Sequence, residues 1–146
     1  MNTVLAIDDK YDNLVVLRAM LRMLMPECVM LEALSGEEGI RIAKEKLPDT
    51  ILLDILMPGM DGFETARRLK ADPDTASIPV ILLTAVENSA MNRTLGLKAG
   101  ADAFLSKPIE EDELVAQLRA MLRIRASEAE RRDRMGQASS RMRSMR

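Results

Sequence analysis

A chain of 146 residues with 47% hydrophobic side chains has the apolar content for one ordinary core, and its lack of any histidine excludes imidazole as base, metal ligand or pH switch. The single cysteine, Cys28, excludes an internal disulfide or a cysteine-based metal cluster. The net charge of −2 conceals an acidic body, with 13 basic and 20 acidic side chains in residues 1–122, and a basic tail, with 8 arginines and 3 acids in residues 123–146.

In chain order, "TVLAI" (3–7), running into Asp8 and Asp9, predicts a buried strand. Asp12 or Asn13 is the expected cap of a first helix, whose Leu14, Leu17, Leu21 and Leu24 recur at helical spacing until Pro26. "VMLEA" (29–33) predicts a second strand. Ser35 and Glu38 then form a capping box for helix two, with Ile40, Ala43 and Leu47 as its apolar positions before Pro48. "TILLD" (50–54) predicts a third strand that ends on a carboxylate, Asp54, and turns through Pro58, Gly59 and Gly62. Helix three is expected from about Phe63 to Ala71, and "PVILLTA" (79–85) as strand four. Asn88 or Ser89 would cap helix four, and Gly100 suits its C-terminal cap. "AFLSKP" (103–108) reads as a fifth strand and "EEDELVAQLRAMLRI" (110–124) as helix five, with acids in its first turn where the helix dipole favours them.

Apolar strands alternating five times with amphipathic helices indicate a doubly wound (βα)5 parallel sheet covered on both faces. Residues 1–124 form the expected domain, and 125–146 a basic tail, helical or disordered. Within the tail, Glu128–Arg132 and Glu130–Arg134 pairs support a helix to about Met135, Gly136 is expected to break it, and "QASSRMRSMR" reads as disordered. The tail carries no aromatic residue and no nucleic-acid motif, so its charge is weak support for a nucleic-acid partner. Met20, Met23, Met25 and Met30 cluster around helix one and strand two, as core filler or adaptable docking surface. The start "MNTVLAIDDK" lacks a secretory pattern, and no apolar run nears the ~20 residues that span a bilayer; a cytoplasmic location without membrane insertion is expected.

An open sheet of this kind places its crevice at the carboxyl ends of the strands, where strand order reverses. There the sequence puts Asp8 and Asp9 after strand one, Asp54 at the end of strand three, Thr84 at the end of strand four and Lys107 after strand five. Alone, each has an ordinary reading as a turn starter, β-former or loop lysine. Together, three carboxylates call for a balancing cation, and oxygen-only ligands suit Mg²⁺ before Ca²⁺. One ammonium and one hydroxyl at the same rim complete a pocket for phosphoryl oxygens, which makes Asp54 a carboxylate nucleophile that forms an acyl phosphate.

The segments "AIDDKYDN", "LLDILMPGMDGFE", "VILLTA" and "GADAFLSKPI", in this order and spacing, resemble the receiver domain of two-component response regulators from about Thr3 to Ile124. The resemblance implies a flavodoxin-like strand order 2-1-3-4-5. It implies that Asp54 accepts a phosphoryl group from a histidine kinase or phosphotransfer protein docking near helix one. It assigns Mg²⁺, with Mn²⁺ as a substitute, to Asp9, Asp54 and the Leu56 backbone carbonyl, with Asp8 acting through water. Lys107 is then the phosphate-binding lysine, Thr84 the switch hydroxyl and Phe104 the aromatic that moves inward behind it, with a cis peptide before Pro108. Such a module is not an enzyme with a separate substrate. It alters binding to a downstream protein or output domain through the helix 4–strand 5–helix 5 face, where Arg93, Asp102, Asp112 and Arg119 are candidates for pairing in a homodimer.

Three positions depart from the family pattern. Phe104 stands where tyrosine is also common and offers packing alone, and Tyr11 stands where relatives often carry proline. Leu56 and Val86, two residues past Asp54 and Thr84, are apolar and position no hydrolytic water, so slow self-dephosphorylation is expected. The readings that remain are a receiver cut from a longer protein, an unphosphorylated interaction module, and an aspartyl-phosphate hydrolase. The hydrolase needs a second carboxylate beside the nucleophile, where this chain has Leu56.

Overall fold

The apolar runs become parallel strands in a computed structural model that describes residues 2–85 and 89–144. Among the described residues the sheet has five strands, β1 (Asn2–Ile7), β2 (Cys28–Ala33), β3 (Thr50–Asp54), β4 (Val80–Ala85) and β5 (Ala103–Lys107), in the order β2-β1-β3-β4-β5. The helices are α1 (Tyr11–Leu24), α2 (Gly36–Lys46), α3 (Gly62–Ala71), α4 (Ser89–Ala99) and α5 (Glu111–Ser144). Residues alternate between faces along each strand, which splits the core into two layers. Leu5, Ile7, Ile51, Leu53 and Leu82 pack with Ala43 of α2, Ala66 and Leu69 of α3 and Ala99 of α4. Val4, Ala6, Leu52, Ile81 and Leu105 pack with Leu14, Leu17 and Leu21 of α1 and Leu114, Leu118 and Met121 of α5. The chain reverses its direction across the sheet between β1 and β3, so the crevice opens at the ends of these two strands.

Burial on both faces holds for β3 and most of β1 and β4, but β2 is half-buried along most of its length. Its apolar letters sit on a sheet edge with β1 as the only strand beside it. Of the clustered methionines Met25 is buried, Met20 and Met30 pack partly against the core, and Met23 is exposed.

The helix ends depart from local expectation in instructive ways. Neither Asp12 nor Asn13 caps α1; Lys10 occupies the N-cap and gives no side-chain cap, leaving aside a contribution of about 1 kcal/mol. In the α2 capping box the Glu38 N–H donates to Ser35 Oγ at 3.1 Å, while Glu38 Oε2 accepts from the N–H of Leu34 at 3.4 Å, one residue before the cap. Leu47 is not on the apolar face of α2; it is the exposed, left-handed C-cap at φ 46°, and Pro48 follows directly. Asp61 caps α3 by accepting the Glu64 N–H at 2.9 Å. Gly100, at φ 95°, closes α4 with Gly100 N–H to Leu97 O at 3.1 Å and Ala101 N–H to Gly96 O at 2.9 Å, as expected of a glycine cap. Asn88 and Val86 lie outside the described residues.

Helix α5 runs on past Ile124 and through Gly136 to Ser144, so the expected break is absent. One glycine costs about 1 kcal/mol relative to alanine in a helix, a weakening rather than a stop. Arg125 donates to Ser77 Oγ at 2.5 Å, tying the emerging helix to the loop before β4. No helix among the described residues is long and apolar enough to cross a membrane. Three of the charges assigned to a dimer face have partners within the chain. Asp102 Oδ2 accepts from Lys70 Nζ at 2.9 Å and from the Val80 N–H at 2.8 Å, Arg119 lies 3.9 Å from Glu27, and Arg93 lies 5.9 Å from the centre of the Phe104 ring.

Gly62 is where the fold is least tolerant beside the crevice. Its N–H donates to Ile55 O at 2.8 Å, and a Cβ there would lie 2.4 Å from the Asp54 backbone oxygen and 2.7 Å from Ile55 Cα. Gly62→Ala is expected to lower stability by about 1–3 kcal/mol in urea unfolding. Gly39→Ala, whose Cβ would meet first the Ile7 side chain rather than backbone, is expected to cost less.

Candidate functional site

The crevice gathers side chains from three strands. Asp54 ends β3, and Asp8 and Asp9 follow β1; carboxylate oxygens of these three residues lie within 4.8 Å of one another. Lys107, the last residue of β5, lies in register with Ala85 on the intervening strand, and its Nζ donates to Asp54 Oδ1 at 2.7 Å. The same Nζ is 3.8 Å from Asp8 Oδ2. The peptide between Lys107 and Pro108 is cis, as the resemblance implies.

Asp8 is 1% exposed, and both its oxygens are satisfied by the chain: Oδ1 accepts from the Lys10 N–H at 2.9 Å and Oδ2 from Asn13 Nδ2 at 3.0 Å. Asp9 contrasts with it. Its Oδ1 is buried with no hydrogen-bond partner among the described residues. An unpaired buried carboxylate oxygen is costly unless a cation meets it. A hard six-coordinate ion with bonds near 2.1 Å holds neighbouring oxygens about 3 Å apart and opposite ones about 4 Å apart, close to the spread seen here. The donor set therefore fits Mg²⁺. Thr84 stands one residue beyond the Asp54 level on β4, where Asp54 pairs with Leu83. Its Oγ1 is likewise buried without a partner among the described residues.

Burial raises the pKa of Asp54 above its ordinary value. Lys107 opposes the shift through its hydrogen bond and charge, whereas Asp8 and Asp9 reinforce it. Desolvation and like charge together outweigh one ammonium.

The family profile described as the response regulator receiver domain matches residues 4–119. The chain belongs to that family. It is 42% identical over 122 residues to the response regulator PleD of Caulobacter vibrioides, a match covering 84% of this chain and 26% of PleD. The chain therefore spans about a quarter of the length of that relative. It is 34% identical over 122 residues to the protein PilH of Pseudomonas aeruginosa, covering 84% of this chain and 98% of PilH. Among solved structures, the receiver domain of the sensor histidine kinase PA1611 from P. aeruginosa, described with a magnesium ion coordinated in its active-site cleft, superposes with a TM-score of 0.72 at 29% identity, over 86% of this chain and 98% of that one.

Leu56 and Phe104, also expected from the resemblance, lie after β3 and on β5. Leu56 sits in the turn after Asp54 with 72% of its surface exposed. Phe104 is half-buried on β5, packed against the layer of α2, α3 and α4 and facing Gly96, where a Cβ would come within 2.6 Å of its ring. Beside the carboxylates a cavity of about 280 Å³ runs along α1 to the start of α5, lined by Asp8, Asn13, Val16, Met20, Lys107 and Ile109 among others. Two contributions were missed in the sequence. Asn13 read as a helix cap, although an asparagine five residues after a buried aspartate is also a donor for it. The backbone N–H of Lys10 leaves no sequence signal at all.

Because its pKa is raised in the fold, Asp54 favours folding while protonated, and that advantage is lost as pH rises through its folded pKa. Without metal at pH 7, Asp54→Asn is therefore expected to raise the thermal unfolding midpoint. The gain should shrink as pH falls through the Asp54 pKa, because protonation removes the same charge.

Proposed function

We propose that the chain is a phosphorylation-operated signalling switch whose phosphoacceptor is Asp54. The observation that carries this reading is one buried carboxylate, held at 2.7 Å by an ammonium, beside a second carboxylate oxygen with no partner among the described residues. In this reading Asp9, Asp54 and the Leu56 backbone carbonyl hold Mg²⁺ or Mn²⁺, and Asp8 reaches it through water. Asp8 having both oxygens occupied by Lys10 and Asn13 supports that indirect role. The bound cation would neutralise charge on the phosphoryl oxygens. An Asp54 oxygen bonds to phosphorus as the P–N bond of the donor's phosphohistidine breaks, and Lys107 moves from the carboxylate toward the transferred oxygens.

Thr84 then supplies the output. Its buried hydroxyl, without a partner among the described residues, gains an acceptor in a phosphoryl oxygen, which favours one of two arrangements of Thr84 and Phe104. Exposed Met91, Leu95 and Leu97 on α4 offer apolar surface to a downstream partner. The cavity along α1 offers a seat to a helix of a histidine kinase or phosphotransfer protein. Residues 1–124 serve as the receiver unit and 125–146 as a basic tail; a homodimer on the α4–β5–α5 face and a cytoplasmic site of action complete the reading. The chain assists its own phosphorylation and dephosphorylation and turns over no other substrate.

Intact mass after incubation with acetyl phosphate and Mg²⁺ tests this directly. One phosphoryl group is expected on the wild type, none with EDTA and none on Asp54→Asn; an unmodified wild type returns the chain to a plain interaction module. Leu56, exposed and apolar beside Asp54, should leave the acyl phosphate long-lived. Leu56→Asn, which can orient a water, is expected to shorten its half-life several-fold in a phosphate-release assay.

A further inference from the structure

We propose that Asn13 is a positioning residue that decides which carboxylate Lys107 serves, an inference that rests on Asp54 being the phosphoacceptor. A carboxylate only accepts hydrogen bonds, so the Asn13 side chain must turn its NH₂ toward Asp8, and Nδ2 lies 3.0 Å from Asp8 Oδ2. That oxygen is also the one 3.8 Å from Lys107 Nζ. Two donors thus face one acceptor atom, and the neutral one holds it. With the amide on Asp8 Oδ2 and the Lys10 N–H on Oδ1 weakening the pull of Asp8, the ammonium stands off at 3.8 Å and makes its hydrogen bond to Asp54 at 2.7 Å.

The local cost of this arrangement is visible in α1. Asn13 is one of two residues suited to cap that helix, yet it lies within the first turn and the helix has no side-chain cap. Local preference has been overridden by a contact reaching five residues back, as happens at functional sites. Neutrality matters as much as reach. A cation at position 13 would bring a second positive charge beside the ion site, and an acid would add a fourth negative one.

Removing the amide leaves Asp8 Oδ2 with Lys107 as its nearest side-chain donor among the described residues. Lys107 is then drawn from the nucleophile to a carboxylate that does not react. Asn13→Ala keeps a good helix former at the position, so α1 itself should persist.

The experiment has a structural and a kinetic arm. A crystal structure of Asn13→Ala is expected to show Lys107 Nζ within hydrogen-bond distance of Asp8; Lys107 still on Asp54 would overturn the inference. Phosphorylation of Asn13→Ala by acetyl phosphate at saturating Mg²⁺ is expected to slow about tenfold. The same substitution in an Asp8→Asn background should change the rate about twofold or less, because the competing charge is already gone. An equal loss in both backgrounds would mark a merely structural role and overturn the proposal. A wild type that takes no phosphoryl group would overturn the phosphoacceptor reading itself, an outcome distinct from a wild type that reacts as fast as Asn13→Ala.

Discussion

Three carboxylates share the end of a buried crevice with one ammonium, and the arrangement around them answers that imbalance. At 4.8 Å, two ionised oxygens repel by about 3 kcal/mol at an effective dielectric near 20, and three acids make three such pairs. Lys107 offsets part of this on Asp54, and the neutral donors of Lys10 and Asn13 stabilise Asp8 without altering the count. Burial first, and then the charges of Asp8 and Asp9, raise the pKa of Asp54, and Asp9 Oδ1 is left without a partner among the described residues. A site left incomplete in this way is suited to a cation.

The scaffold makes that incompleteness tolerable. Asp54 and Asp8 extend from strands whose apolar residues are almost fully buried, with a core layer on each face of the sheet. Gly62 lets α3 begin directly against the Asp54 backbone, closing the floor of the crevice where any side chain would intrude. Gly96 does the same for Phe104 at the back of β5. The polar groups are thus held at the ends of buried strands, with the Lys107 side chain about one-third exposed beside them.

Much of this was legible in the sequence because the signal was local. "TILLD" combines strand formers with a terminal acid, and β3 runs from Thr50 to Asp54 as read. Ser35 and Glu38 announce α2 in the same way. What was hidden depends on strand order or on contacts between elements. Apolar letters do not distinguish an edge strand from a central one, so β2 looked more deeply buried than it is. Asn13 has the chemistry of a cap, and only the position of Asp8 shows where its amide goes. Asp102 and Arg119 read as candidates for pairing between subunits, and the fold gives them Lys70 and Glu27 within the chain. Gly136 was overweighted, since a modest local penalty is not a terminator.

The tether between Arg125 and Ser77 gives α5 a mechanical character. Beyond it the helix continues to Ser144, an overhang of roughly 28 Å at 1.5 Å per residue. Fixed near its base and stiff along its length, such a rod is a lever. A tilt of about 10° at the fulcrum, of the kind a repacked α5 face would produce, sweeps the far end through roughly 5 Å. Displacements too small to notice at the crevice would thereby become large at the tip.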